Sequence, residues 1–275
     1  MSIYSVNVRQ GFARTPDGVR IAYQVSGRGP ALVCCHAMGS DHTMYDSHRD
    51  RFSQANTFIT FDQRGSGASD HPAFEEGPGS PYTVEKFGDD LTAVLDELGV
   101  ESAIVLGFSM GAIPALSFSI RSPGRVSRLI LASAMASRLP QPIIERARLV
   151  EDMLDRKGIG ETYDFYFSGA LFEGLMEQEE FRDRIAQARV RATEQGFKGC
   201  FRVTIDRPSL VHKLDAITCP TLILVGENDT HYLAEAVLLQ EKIEDARRVV
   251  LPGVGHAMSM QDPGQFEAEV MAFIQ

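Results

Sequence analysis

Three residues of this chain could together form a nucleophilic triad. Ser109 is the central residue of Gly-Phe-Ser-Met-Gly, and Asp229 and His256 follow it in that order. A serine hydroxyl is a poor nucleophile at neutral pH, so it needs a general base and a group that orients this base. The residue types and their order therefore predict Ser109 as nucleophile, His256 as general base and Asp229 as the orienting acid.

The pentapeptide around Ser109 is evidence for a catalytic serine only if it lies between a strand and a helix. The apolar run 103–106 precedes it, and the run 112–116 follows it. Pro114 falls in the first turn of the expected helix, where a missing N–H costs little. This setting predicts a sharp strand-to-helix turn that presents the Ser109 hydroxyl at the edge of a sheet.

Asp229 and His256 each follow a further apolar run, as expected for loops at the carboxyl ends of strands, where ligands approach open α/β sheets. Glu227 is a competing acid, but we interpret it as a solvated loop charge. Three other aspartates are expected to be turn or surface residues: Asp62, Asp70 and Asp206.

The remaining histidines do not suggest a metal site. His36, His42 and His48 are evenly spaced, but no carboxylate or thiol completes a metal-binding set at coordinating spacing. We expect His36 to shape a loop by hydrogen bonding. His231, beside Asp229, is a possible pocket residue, but we interpret it as a loop side chain. Neither a metal nor a cofactor is expected.

Buried strands alternate with helices along most of the chain. Around Val6 to Arg14 and Val19 to Ser26, two β-rich stretches flank the turn residues 15–18, which predicts a hairpin. Later apolar runs suit strands of a parallel sheet buried on both faces. These runs are 31–35, 57–61, 103–106, 129–131, 221–226 and 247–251.

Helical segments complete this pattern. Apolar residues spaced by three and four predict an amphipathic helix over 84–99, and a last helix is expected over 262–274. The region from 137 to about 212 has helix formers and no clear buried strand, so it is expected to be a helical insertion. Its expected turn points are Gly158, Gly160 and Gly196.

Composition limits the class of protein. The net charge of -10 and the lack of a basic run argue against a nucleic-acid partner. No apolar stretch approaches the roughly 20 residues that span a bilayer, and residues 1–20 lack the pattern of a signal peptide. No membrane association and a cytoplasmic location are therefore expected. The four cysteines form no CxxC pair and are expected to be buried, reduced thiols, with Cys34 and Cys35 on opposite faces of one strand.

With these motifs in view, the whole chain resembles a capped α/β-hydrolase. Besides the triad motifs, residues 62–69 read Asp-Gln-Arg-Gly-Ser-Gly-Ala-Ser, similar to the Asp-x-Arg-Gly-x-Gly-x-Ser segment of that family. The resemblance implies an α/β fold with a mostly parallel eight-stranded sheet and helices on both faces. It also implies a core of residues 1–133 and 213–275, with a helical cap at 134–212 over the active site.

The same resemblance implies an oxyanion hole. The family's His-Gly-x loop corresponds here to residues 36–39, in which alanine replaces the usual glycine. The two donors would be the backbone N–H groups of Met38 and Met110. Cap side chains usually select the substrate in this family. Most aromatic residues of the cap are expected to form its core; they are Tyr163, Phe165, Tyr166, Phe167, Phe172, Phe181 and Phe197. Most of its arginines are expected to be solvated; they include Arg138, Arg189, Arg191 and Arg202.

The motifs favour hydrolysis of a small carboxylic ester or lactone through an acyl-enzyme. Haloalkane dehalogenases and epoxide hydrolases have aspartate in place of Ser109. Carbon–carbon bond hydrolases commonly have asparagine and tryptophan where this chain has Phe108 and Ala257. The loop 36–39 resembles that of 3-oxoadipate enol-lactonases. A carbon–carbon bond hydrolase, a cofactor-free perhydrolase and a non-catalytic ligand-binding receptor stay open as alternatives, and the pattern does not decide between a monomer and a homodimer.

Overall fold

A computed structural model describes residues 7–172 and 174–275, so Val6, at the start of the first predicted strand, lies outside the described residues. The strands of the described part form one eight-stranded sheet in the order β1-β2-β4-β3-β5-β6-β7-β8. They are β1 Arg9–Arg14, β2 Arg20–Ser26, β3 Ala31–Cys35, β4 Thr57–Phe61, β5 Ala103–Phe108, β6 Val126–Ala132, β7 Thr221–Gly226 and β8 Ala246–Leu251.

The predicted hairpin is confirmed. β1 and β2 pair antiparallel, and the Thr15 N–H donates to the Val19 carbonyl across the turn. Gly18 has a φ of 88°, a conformation that L side chains rarely adopt. β2 also pairs antiparallel with β4, whereas all pairs formed among β3 to β8 are parallel. The mostly parallel sheet therefore carries an antiparallel pair at one edge.

The central strands read as apolar runs because both of their faces are buried. Successive residues of β3 belong to different hydrophobic clusters: Cys35 packs in the cluster on one face and Cys34 in the cluster on the other. All four cysteines are buried and free, as the sequence predicted.

Helices cover both faces of the sheet. They are α1 Arg49–Phe52, α2 Val84–Glu97, α3 Ala112–Arg121, α4 Gln141–Phe167, α5 Glu179–Arg191, α6 Glu194–Asp206, α7 Thr230–Lys242, α8 Met258–Gln261 and α9 Pro263–Ile274. Core residues of α2, α3 and α7 share one hydrophobic cluster, and those of α1 and α9 share the other. None of the helices in the described ranges is long and apolar enough to cross a membrane.

The helices α4, α5 and α6 lie between β6 and β7, inside the range predicted as a helical insertion. The three predicted turn points differ in the structure. Gly158 breaks α4 with a φ of 74° and a ψ of -179°, whereas Gly160 is helical. Gly196 is no turn point either: it lies in the first turn of α6, where a Cβ atom would be 2.2 Å from the Gly65 carbonyl oxygen. Its lack of a side chain allows α6 to pack closely against the core.

The segment 62–69 is held by a buried ion pair that the sequence did not predict. Arg64 binds Asp90 of α2 with its Nε and Nη2 atoms at 2.9 and 2.7 Å, and both side chains are fully buried. Arg64 Nη1 also donates to Asp17 in the hairpin turn. Because a buried charge needs a partner, this arginine ties the loop after β4 to both α2 and the hairpin.

Candidate active site

Ser109 follows β5 on a turn with strained backbone. Its φ is 53°, one of two positive values among the described non-glycine residues. The glycines on either side are required by close contacts: a Cβ atom on Gly107 would be 2.6 Å from the Gly111 carbonyl oxygen, and one on Gly111 would be 2.1 Å from that of Cys35. The turn therefore packs directly against β3. It leads from β5 into α3, which is the strand-to-helix setting that the motif predicted.

The structure brings together the three side chains that the sequence singled out. His256 Nε2 lies 2.9 Å from Ser109 Oγ, and His256 Nδ1 lies 2.9 Å from Asp229 Oδ2. Because Nδ1 faces a carboxylate, it is the ring's donor, and Nε2 is left to accept the serine proton. Asp229 and His256 are 2 and 5 % exposed. The arrangement can move a proton from Ser109 to His256 while the carboxylate stabilises the resulting imidazolium.

Ser133 is a further residue of this site that the sequence analysis missed. It follows β6, and its Oγ atom donates to Asp229 Oδ2 at 2.7 Å. It has the second positive φ among the described non-glycine residues, 44°. Its only sequence signal was its position after a strand next to β5 and β7, whose loops carry Ser109 and Asp229.

The competing acid Glu227 has a different place. It is exposed, and its Oε2 atom accepts the Gly253 N–H at 2.9 Å. This contact links the loop after β7 to the loop that carries His256. Glu227 therefore supports the histidine loop but does not contact the imidazole.

The residues predicted for the oxyanion hole lie next to Ser109. Met38 and Met110 are buried, and both line the same cavity as Ser109. Met110 is the second residue of the turn after β5, where backbone N–H groups have no acceptor in the preceding turn. The position of these two residues is compatible with the predicted oxyanion hole, which stays a prediction.

His36 fixes the loop that carries Met38. Its Nδ1 atom donates to the Ala37 carbonyl at 2.9 Å, and its Nε2 atom accepts the Gln63 N–H at 3.1 Å. Gln63 Nε2 in turn donates to the His36 carbonyl. Burial lowers the pKa of His36, which agrees with a ring nitrogen that must stay an acceptor.

A cavity of about 240 Å³ opens over Ser109, with walls from both the core and α4 and α6. Most of its lining is apolar, including Met38, Met110, Met135, Ile143 and Phe172. Cavities of this kind bind small ligands mainly by apolar contact and use a few polar groups for specificity. The polar side chains in this lining are therefore the ones most able to select a substrate.

The cavity arginines are not those named from the sequence. Three of the predicted arginines form ion pairs elsewhere: Arg189 with Asp164, Arg191 with Asp41, and Arg202 with Glu76, Glu151 and Asp206. Arg138 is not in the cavity lining either; the arginines that line it are Arg146 and Arg207.

Among the predicted insertion aromatics, Tyr166 and Phe172 line the cavity. The Phe172 ring lies 6.3 Å from that of His256, centroid to centroid. Four others contact one another or Phe172 in an aromatic cluster: Tyr163, Phe167, Phe181 and Phe197. Phe165 instead lies against the Arg146 guanidinium, 5.1 Å from its ring centroid. The interpretation that most of these aromatics form the core of the insertion agrees with these contacts.

Tyr232 and His231 also line the cavity. Both lie in the first turn of α7, so the interpretation of His231 as a loop side chain is wrong and it is a pocket residue. The Tyr232 ring lies 4.7 Å from the His256 ring. Burial and the Asp229 carboxylate raise the pKa of Tyr232. The phenol therefore stays protonated at neutral pH and can donate a hydrogen bond beside the serine.

One group of side chains resembles a metal-binding set. Donor atoms of Asp41, His42 and Asp62 lie within 4.8 Å of one another. Asp41 directly precedes His42, and Asp62 directly follows β4. Two carboxylates therefore lie beside His42, contrary to the expectation that no carboxylate completes such a set. These carboxylates already accept hydrogen bonds. Asp62 binds His42 and the Ala68 N–H, and Asp41 binds Thr43 and Arg191. We interpret the group as structural, which makes Asp62 a buried residue at a turn.

Comparison with known proteins places this geometry in a family. The sequence model of the Alpha/beta hydrolase family matches residues 32–269 of this chain. A Bacillus subtilis protein, named as a candidate 2-succinyl-6-hydroxy-2,4-cyclohexadiene-1-carboxylate synthase, is 27% identical over 94% of this chain and 96% of its own. 3-Oxoadipate enol-lactonase 2 of Acinetobacter baylyi is 25% identical, covering 95% of each chain. The structure of a thermophilic esterase from Thermogutta terrifontis superposes with a TM-score of 0.85 at 25% identity, covering 97% of this chain and 98% of the other. The chain therefore belongs to the alpha/beta hydrolase family.

Proposed function

We propose that this protein hydrolyses a small carboxylic ester or lactone through an acyl-enzyme on Ser109. The observation that carries the proposal is the chain of hydrogen bonds from Ser109 through His256 to Asp229, both at 2.9 Å. The names of two relatives, an enol-lactonase and an esterase, support the same type of substrate.

In the proposed reaction, His256 Nε2 takes the hydroxyl proton as Ser109 Oγ attacks the carbonyl carbon. Asp229 holds the ring and stabilises its positive charge. The oxygen of the tetrahedral intermediate accepts from the N–H groups of Met38 and Met110. His256 then protonates the leaving oxygen, and a water molecule, deprotonated by the same ring, releases the acid and restores Ser109.

We also propose that residues 134–212 form a cap and that 1–133 and 213–275 form the catalytic core. The support is the cavity lining, in which residues of α4 and α6 face the side of the sheet that carries Ser109. Its volume of about 240 Å³ lies below the range for drug-sized ligands, which favours a small substrate.

The first test is replacement of the proposed nucleophile. Ser109→Ala should lower the kcat for an activated short-chain ester at least about 10⁴-fold, because the covalent route is lost. The matched control is Ser127→Ala, an exposed serine on β6, which should keep the wild-type rate. Retention of most of the rate in Ser109→Ala would overturn the assignment.

A second measurement separates an enzyme from a ligand-binding receptor with the same fold. A fluorophosphonate probe should label the wild type at Ser109 and leave Ser109→Ala unlabelled, since labelling needs an activated serine.

The relatives' names cover a synthase, a lactonase and an esterase. A panel of esters and lactones, assayed with and without peroxide, ranks hydrolysis against perhydrolysis.

A further inference from the structure

Arg207, at the end of α6, is a buried cation in the wall of the cavity that contains Ser109. It is 6 % exposed. Its Nη atoms donate to three backbone carbonyls after β6, with distances of 2.8 Å to Met135, 2.9 Å to Ser137 and 3.4 Å to Ala136. Its Nε atom is buried and has no acceptor among the described residues.

No carboxylate of the described residues lies within ion-pair distance of Arg207. Glu235 contacts the same backbone segment, but its oxygens accept the N–H groups of Ala136 and Ser137 and the Ser137 hydroxyl. A buried guanidinium with a free N–H costs free energy until an acceptor, best an anionic one, reaches it.

Tyr232 also lines this cavity. Its phenol and the Arg207 guanidinium are close enough that each affects the pKa of the other. The tyrosine backbone is fixed by its N–H bond to the Asp229 carbonyl at 2.9 Å. Arg207 and Tyr232 are therefore two residues with hydrogen-bond donors in a lining that is otherwise mostly apolar.

We propose that the Arg207 guanidinium and the Tyr232 hydroxyl form a subsite for a second oxygen acceptor on the substrate, apart from the carbonyl that Ser109 attacks. The substrate class is then an ester or lactone whose acyl group carries a further carboxylate or ketone oxygen. This inference rests on the proposed hydrolysis and adds the chemistry of the acyl group. A purely aliphatic acyl group would leave the Arg207 donor unsatisfied.

The kinetic test compares methyl pentanoate, methyl 4-oxopentanoate and monomethyl glutarate, followed by acid release at constant pH. The wild type should show a kcat/KM at least about tenfold higher for one of the two acceptor-bearing esters; the ketone and the carboxylate are distinguished by which one is preferred. Tyr232→Phe keeps the ring against His256 but removes the hydroxyl, and it should reduce that preference several-fold. Arg207→Lys should do the same.

The preference ratio is the readout, because Tyr232→Phe also changes the surroundings of His256. Tyr163→Phe and Arg202→Lys, outside the lining of this cavity, are the matched controls and should keep the wild-type ratio. Tyr232→Phe keeps the inference testable if Arg207→Lys fails to fold. Equal kcat/KM values for the three esters would overturn the subsite. So would loss of the preference in Arg146→Gln if the Arg207 and Tyr232 variants keep it.

A binding measurement separates this inference from the proposed reaction. In Ser109→Ala, calorimetry should show tighter binding of glutarate or 4-oxopentanoate than of pentanoate. Tighter binding without turnover of any ester by the wild type would support the subsite and contradict the hydrolysis. Turnover of all three esters without any preference in kcat/KM or in binding would contradict the subsite alone.

Discussion

The Asp229 carboxylate orients His256 through an oxygen that has two donors. Oδ2 accepts from His256 Nδ1 at 2.9 Å and from Ser133 Oγ at 2.7 Å. Hydrogen bonds to an ionised carboxylate are stronger than neutral ones and restrict its orientation. Ser133 is thus a positioning residue: it acts on the general base through the acid.

Ser133→Ala should lower kcat about tenfold or more and leave KM nearly unchanged, because a hydrogen bond to a charged group is worth roughly 1.5–3 kcal/mol. The measurement is steady-state kinetics on one ester. The control is Ser137→Ala, which removes a serine-to-carboxylate hydrogen bond at Glu235, outside the triad. A wild-type kcat in Ser133→Ala would show that Asp229 needs no second donor.

The triad residues could be predicted because their order and their places after apolar runs are properties of the sequence. Ser133 could not, since it is 96 residues from Asp229 and the contact exists only when β6 and β7 pair. Arg207 and Tyr232 are similar cases. Nothing in the local sequence distinguishes an arginine that lines a cavity from one in a surface ion pair, such as Arg189.

At the scale of elements, the strands were predicted to within three residues at each end where the described part tests them. Their apolar runs follow from burial on both faces, a property that one chain segment reveals. The insertion was predicted only as helical. Its division into α4, α5 and α6 depends on packing against the core, as at Gly196 and Gly65, which lie far apart in sequence.

α4 illustrates how one glycine sets the geometry of an element. The positive φ of Gly158 separates two helical halves, and each half contributes to the cavity. Ile143, Ala147 and Val150 come from the first half, and Tyr166 comes from the second. Gly160, two residues later, is helical and has open space around its Cβ position.

Gly158→Ala should destabilise the protein by about 1–3 kcal/mol, because alanine is strained at this φ and ψ. It should also raise KM, since the two walls of the cavity move relative to each other. Gly160→Ala is the matched control and should stabilise by about 0.5–1 kcal/mol, as expected for glycine replacement inside a helix. Thermal unfolding and ester kinetics measure both effects. Similar stability of the two variants would contradict the role of the break.

At the scale of the whole molecule, buried histidines link stability to pH. Burial lowers the pKa of His36 and His48 below the ordinary 6.5, although Glu267 binds His48 Nδ1 at 2.7 Å and opposes this effect. His42 differs: although burial opposes it, Asp62 raises the pKa of His42 above 6.5. The first two histidines therefore favour the neutral ring in the folded state, and His42 favours the charged one.

The direction in which each histidine changes the stability with pH follows from the number of protons that the folded and unfolded chains bind. For a lowered histidine pKa, the unfolded chain binds more protons as the pH falls below 6.5, so stability decreases from there down to the folded-state pKa. For the raised pKa of His42, the contribution is complete below 6.5 and is lost as the pH rises above it. As the pH falls from 7 to 5, the lowered pKa values of His36 and His48 therefore reduce the stability, and His42 has the opposite effect.

The melting temperature of the wild type should fall between pH 7 and pH 5, and His48→Gln should reduce this fall by about 2 °C or more, because glutamine does not titrate there. His48 is the better site for this test than His36, which fixes the loop of Met38. The exposed His212 provides the control, and His212→Gln should leave the fall unchanged. If the melting temperature of His48→Gln falls with pH as steeply as that of the wild type, the fold tolerates the charged ring of His48. The contact of His48 with Glu267 would then outweigh its burial among Phe52 and Phe266.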